Sequence, residues 1–144
     1  MTKPTDRHLD KSFEAFLGRR PVVGQAYVNG DAGPLTEIST EHDPATFFGP
    51  QGGVTEGART VLDTNQRGAA SFAPGGQSRF EILHAAADGA LGYLVGIQRA
   101  AVRLTNGAED DVEMALRVTE LYRREDGSWK LVHRHADPHV TIKP

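Results

Sequence analysis

The run Trp129-Lys130-Leu131-Val132-His133-Arg134-His135-Ala136-Asp137-Pro138 places two histidines and an aspartate at alternate positions. Imidazole titrates near neutral pH and can donate or accept a proton, which suits acid–base work or ligand binding. A His-x-His pair with a nearby carboxylate is also the start of a zinc or iron site. A third reading is a polar wall whose ring nitrogens are satisfied by ordinary hydrogen bonds.

On a strand, residues i, i+2 and i+4 share a face. Trp129, Leu131, His133, His135 and Asp137 then point one way, and Lys130, Val132, Arg134 and Ala136 the other. Trp129 and Leu131 are too large and apolar to face water together, so their face is expected to be the inner one. A bulge between Leu131 and His135 would turn the histidines outward. The metal reading is the weakest of the three. Only His84 among the other histidines falls in an expected strand, and Pro138 cuts His139 off from the run. No metal and no cofactor are expected.

Three more residues could carry chemistry. Arg117 lies mid-strand in Met114-Ala115-Leu116-Arg117-Val118, where a charge must be paired or reach water. It could meet an anionic ligand, or a carboxylate such as Glu81 or Asp137. Glu81 could equally be the solvent-side alternate of its own strand. Tyr27 falls on the inner face of an N-terminal helix. Glu109-Asp110-Asp111 reads as a solvated loop. No Gly-x-Ser-x-Gly elbow, Gly-x-Gly-x-x-Gly fingerprint or phosphate loop occurs, and Gly52-Gly53 and Gly75-Gly76 read as loops.

These residues need a scaffold, and 144 residues suit a single domain spanning 1–144. Cysteine is absent, which excludes disulfides and thiolate chemistry and fits a reducing, cytoplasmic setting. The polar start MTKPTDRHLD does not read as a signal peptide. No apolar run is long enough for a membrane span. The net charge is −3 with no basic stripe, so neither membrane nor nucleic acid is an expected partner.

Phe13, Phe16, Leu17, Val23, Ala26 and Tyr27 recur at helical spacing between about Asp6 and Gly30, in phase across Pro21. One helix kinked at Pro21 is expected, closed by Asn29-Gly30. A short helix follows near Ala32–Ser39 with Asp31 at its start. A short strand is expected at Ala45–Phe48 and a third helix near Glu56–Gly68. Asp88-Gly89, Asn106-Gly107 and Asp126-Gly127 have hairpin chemistry. They separate strands expected near Arg79–Ala87, Ala90–Leu104, Val112–Arg124 and Ser128–Asp137. The second is long enough to require a bend or bulge, at Gly92 or Gly96. Helices first and a hairpin meander after them mean α+β.

This order of elements, with Phe47-Phe48-Gly49-Pro50, Leu116-Arg117-Val118-Thr119-Glu120 and the Trp129–Asp137 run, resembles the nuclear-transport-factor-2-like superfamily. Within it the chain is most similar to the SnoaL-like and ketosteroid-isomerase-like bacterial proteins, over nearly its whole length. The resemblance implies a conical fold of three N-terminal helices packed on a curved, mostly antiparallel sheet with a central cavity. It also implies frequent homodimers through the sheet, with Val132 among the apolar alternates expected on the outer face. Family members include isomerases, cyclases and dehydratases as well as proteins without a reaction, so fold alone does not fix chemistry.

Ketosteroid isomerases use a helix tyrosine as an oxyanion donor, a position Tyr27 matches loosely. They place a base aspartate before the proline of the short strand, where this chain has Gly49. The expectation is therefore a small-molecule-binding protein. It would act on an apolar molecule with a polar group, as a cofactor-independent isomerase, cyclase or lyase, or as a non-catalytic binding or dimerisation module. The expected catalytic residues are His135 and Asp137. The expected ligand contacts are Tyr27, Phe48, Arg117, Trp129 and His133.

Overall fold

A computed structural model describes residues 10–107 and 109–140. The expected helix start at Asp6 lies outside the described residues. Helix α1 spans Lys11–Tyr27. Asp10 caps it, its carboxylate accepting from the Ser12 backbone N–H at 2.7 Å and from that of Phe13 at 3.4 Å. Phe13, Phe16, Arg20 and Val23 form its buried stripe at three- and four-residue steps. Pro21 removes one intrahelical donor, yet the helix runs through it. After it, Gly30 adopts φ 93°, and a Cβ there would lie 2.7 Å from the Phe72 carbonyl oxygen.

Helix α2 spans Gly33–Ile38 and helix α3 spans Ala58–Ala69. The Asp43 carboxylate accepts from the Ala58 backbone N–H at 2.8 Å and so anchors the start of α3. No helix among the described residues is long and apolar enough to cross a membrane.

The strands are β1 (Thr46–Phe48), β2 (Thr55–Glu56), β3 (Phe72–Asp88), β4 (Leu91–Leu104), β5 (Val112–Glu125) and β6 (Ser128–Pro138). They form one six-stranded sheet in the order β2-β1-β6-β5-β4-β3. Strands β3 to β6 are an antiparallel meander, as the three hairpin dipeptides require. Strand β1 pairs parallel with β6. Strand β3 begins earlier than the sequence suggests. Gly75-Gly76, read as a loop, lies inside it at an irregularity between Ala73 and Gln77. The Asn29 side chain accepts from both glycine N–H groups and donates to the Gly76 carbonyl, which ties the end of α1 to this break. A second irregularity sits opposite Gly96, but its extra residue is Leu83 on β3.

The core lies between α1, α2 and the inner face of the sheet. Leu94, Val118, Tyr122 and Ala136 come from successive strands and pack against Phe13, Phe16, Leu35 and Ile38. Rings of Phe13 and Trp129 meet at 5.0 Å and those of Phe16 and Tyr122 at 4.9 Å, both edge-on. The Trp129 indole N–H donates to the Ser12 hydroxyl at 3.0 Å, so this buried donor is satisfied.

Candidate functional site

The inner face of the sheet changes parity once along β6. Tyr122 opposes Leu131 and Leu121 opposes His133, so Val132 is an extra residue. The bulge falls where the other neighbour of β6 changes. Leu131 bridges Ser39 and takes the Thr40 N–H on its carbonyl, whereas His133 pairs with Thr46 of β1. Before the bulge Trp129 and Leu131 face inward. After it Arg134 opposes buried Glu120 and Ala136 opposes buried Val118, while His133, His135 and Asp137 oppose Leu121, Thr119 and Arg117 on the outer face.

The expectation that the two histidines and Asp137 share the Trp129 face is therefore corrected. The cause is the one-residue insertion, which reverses the alternation. His135 is half exposed, with its Nε2 3.6 Å from Asp137. Asp137 takes two hydrogen bonds from Arg117, at 2.7 and 2.9 Å. Those bonds hold the aspartate below the usual carboxylate range and push the Arg117 guanidinium up.

The parity change brings Arg134 into a buried charged cluster. Glu120 is fully buried. One of its oxygens accepts from Arg20 Nε at 2.8 Å and from the Tyr122 hydroxyl; the other accepts from Arg20 Nη2 at 2.8 Å and Arg134 Nη1 at 2.6 Å. Arg134 Nη2 donates to Gln98 at 2.6 Å, and the Gln98 amide donates to Ser78 at 3.1 Å. Burial alone would raise the Glu120 carboxyl, but the two guanidinium groups outweigh it and hold it far below the carboxylate range. Burial, together with the adjacent Glu120 charge, pushes the Tyr122 phenol up, so it stays a neutral donor. The cluster thus holds two cations and one anion. Arg20 Nη1 is buried with no hydrogen-bond partner, and its guanidinium lies 4.8 Å from the centre of the Phe80 ring.

Above this cluster, between the sheet, α1, α3 and the β1–β2 segment, is a space of about 590 Å³. Val23, Leu35, Phe47, Val61, Phe72, Leu116 and Ala136 supply apolar wall. Arg20, Arg67 and Arg134 also line it, and none of its lining residues is an aspartate or glutamate. Tyr27 and Asn65 project polar groups at this wall. The Tyr27 hydroxyl lies against Gly68, one helical turn beyond Asn65 on α3. Burial raises the Tyr27 phenol, with Arg134 opposing the shift. Neither the Tyr27 hydroxyl nor the Asn65 side-chain amide has a hydrogen-bond partner among the described residues, and both remain accessible to water.

Of the residues expected to meet a ligand, Tyr27 lines this space. His133 borders it, but its ring meets that of Phe48 at 4.8 Å and its Nδ1 pairs with Thr46 Oγ1 at 2.7 Å. Burial, then the neighbouring His135, holds its imidazole below the ordinary value. Phe48 packs on His133 and His135, and Phe47, its neighbour, faces the space instead. Arg117 is mostly exposed on the outer face. Trp129 is enclosed by Phe13 and Arg124 in the core. Val132, expected on the outer face, borders the space as the bulged residue.

Sequence reasoning missed Arg20, Gln98, Glu120 and Arg134. Two of them left a signal. Arg20 interrupts the stripe Phe13, Phe16, Val23, Tyr27, and Glu120 sits between Val118 and Tyr122 on the inward alternates of β5. Among the described residues, no group of three or more histidine or carboxylate side chains is placed to hold a metal ion.

Comparison with known proteins gives the same architecture. Residues 23–140 match the sequence model of the SnoaL-like domain. No curated protein matches the sequence. A protein from Streptomyces avermitilis, named provisionally as a dehydratase of the NTF2-like family, superposes with TM-score 0.73 at 18% identity, over 92% of this chain and 99% of its own. An NTF2-like superfamily protein from Salmonella enterica serovar Typhimurium gives 0.73 at 10% identity, covering 90% and 92%. A protein with a cystatin-like fold from Caulobacter vibrioides gives 0.68 at 13%, covering 90% and 89%.

Proposed function

For a chain that belongs to the SnoaL-like family, we propose that the function is to bind a small, largely apolar molecule in the space between the helices and the sheet. One observation carries this: an apolar-walled interior volume of about 590 Å³ into which the Tyr27 hydroxyl and the Asn65 amide bring unpartnered polar groups. In the empty space these groups can be hydrated, and a ligand that replaces that water and pairs them is oriented by them. A mostly apolar concavity with a few convergent polar groups is the usual form of a small-molecule site.

In this reading the three helices and the curved sheet form a cone around the ligand, with Tyr27 as a neutral donor and His133 at the margin. If the bound molecule reacts, Tyr27 and Arg134 are the groups placed to steady developing negative charge. His135 and Asp137 are not part of this proposal, because their side chains lie on the other face of the sheet. The outer face, with Val95, Ile97 and Leu121 among its alternates, is proposed to meet a second copy of the chain.

The test is a thermal-shift panel of small aromatic molecules against the wild-type protein and Val61→Trp, which adds an indole to the wall from α3. The reading expects at least one compound to raise Tm in the wild type and to lose that effect in the folded variant. Hits that survive Val61→Trp undiminished would place binding elsewhere, and an empty panel at millimolar concentration would count against any such site.

A further inference from the structure

We propose that the ligand is an anion of the carboxylic acid class, seated with its acid group toward Arg134 and Arg20 and its apolar body against Val61, Leu116 and Phe47. This deepens the binding role proposed above and rests on it.

Arg20 and Arg134 share a single carboxylate, Glu120, so the buried cluster carries one positive charge in excess. A third cation, the solvent-exposed Arg67, also lines the space, and none of the lining residues is acidic. An uncompensated charge in the interior is expensive unless something neutralises it. The protein supplies no second carboxylate within hydrogen-bond distance of buried Arg20 or half-buried Arg134 among the described residues. A bound carboxylate would.

The hydrogen-bonding capacity agrees with the charge. Glu120 and Gln98 use one N–H₂ group each of Arg134, which leaves its Nε free of a hydrogen bond among the described residues. Arg20 Nη1 also has no acceptor but is sealed from the space, so Arg20 contributes charge and the reachable donor is Arg134 Nε. The Tyr27 hydroxyl can donate as well. Every one of these is a donor, and an anionic oxygen with several lone pairs is the acceptor that matches them. A carboxylate of the protein could not take the place of the ligand's without an acidic residue in the wall. A cationic ligand would meet three arginines. A neutral carbonyl would accept one or two of the bonds but leave the charge in place.

The experiment uses a matched pair of fluorescent probes, 1-naphthylacetate and 1-naphthylacetamide, which share a ring and differ in charge. Affinities are measured by isothermal titration at pH 7 and low salt with the whole chain. The acid should bind at least tenfold more tightly than the amide. In Arg134→Met the acid should lose more affinity than the amide, so that the preference falls to within twofold. In Val61→Trp both probes should be lost. Equal binding of the two probes to the wild type would overturn the anion assignment and leave the binding role standing. An acid that binds Val61→Trp as well as wild type sits on the surface and would overturn it too. Binding of neither probe at millimolar concentration would remove both proposals. The wild-type comparison decides the matter even where Arg134→Met fails to fold.

Discussion

Glu120→Gln isolates the buried cluster because it keeps side-chain volume and removes one charge. In the wild type each carboxylate oxygen accepts two hydrogen bonds, from Arg20 and Tyr122 on one side and from Arg20 and Arg134 on the other. Glutamine has one oxygen and one NH₂. Whichever way the amide turns, two donors then point at a donor, and two guanidinium groups are left without a counter-charge. Removing one partner of a buried pair costs about 3–5 kcal/mol, a large share of the roughly 5–15 kcal/mol that holds a domain together. With a urea slope of about 2 kcal/mol/M, the unfolding midpoint should fall by about 2 M.

The effect should also depend on pH, with a sign fixed by linkage. The Glu120 carboxyl titrates lower in the folded protein than in the unfolded chain, where its ordinary value is 4.5. Its contribution is therefore fully present above about pH 4.5 and is lost as pH falls from there toward the folded value. The gap between wild type and variant should be constant near neutrality and shrink below about pH 4.5. A midpoint shift under about 0.5 M at pH 7, or a gap that stays constant into acid, would show that the cluster is not the stabilising unit described. Replacing Arg20, Glu120 and Arg134 together by Met, Leu and Met should recover much of the loss, as apolar replacement of a buried ion set does elsewhere.

His135→Ala should change stability by less than about 0.5 kcal/mol and leave probe binding intact, since its ring is on the outer face; a tenfold loss of binding would restore the histidine to the site. Trp129→Ala should cost about 3–5 kcal/mol in urea unfolding by opening a cavity beside Phe13, and a cost below about 1 kcal/mol would contradict its place in the core. Gly96→Ala should be destabilising by about 1–3 kcal/mol, because its Cβ would stand 2.3 Å from the Glu81 carbonyl oxygen, and a wild-type melting temperature would show that the sheet gives way there. Sedimentation at micromolar concentration should give twice the chain mass of 15.6 kDa, and a single species at the chain mass would rule out the proposed second copy.

Local chemistry made much of the architecture legible. Asp88-Gly89 and Asp126-Gly127 turn the chain where strands of alternating pattern end, and Gly89, Gly127 and Asp126 adopt the positive φ such turns require. The apolar steps of α1 select one helical face and place Tyr27 on it. The order of these elements was enough to suggest the superfamily. Strand β2 and the strand pairing inside Phe72–Gly76 left no such mark, because two-residue pairing and a bulge held by Asn29 depend on partners distant in sequence.

The site divides along the same line. Types and spacing determined that His133, His135 and Asp137 share one face, and in the structure they do, since alternation is a property of the backbone alone. Which face that is could not be read from the strand. Trp129 must enter the core beside Phe13, and Arg134 must reach Glu120, yet the two positions have opposite parity. Val132 resolves the conflict by adding a residue where β6 exchanges Ser39 for Thr46 as its neighbour. That exchange belongs to the packing of the α2–β1 segment against the sheet edge, tens of residues away in sequence. Only the tertiary structure therefore decided that the arginine, and not the histidines, faces the interior.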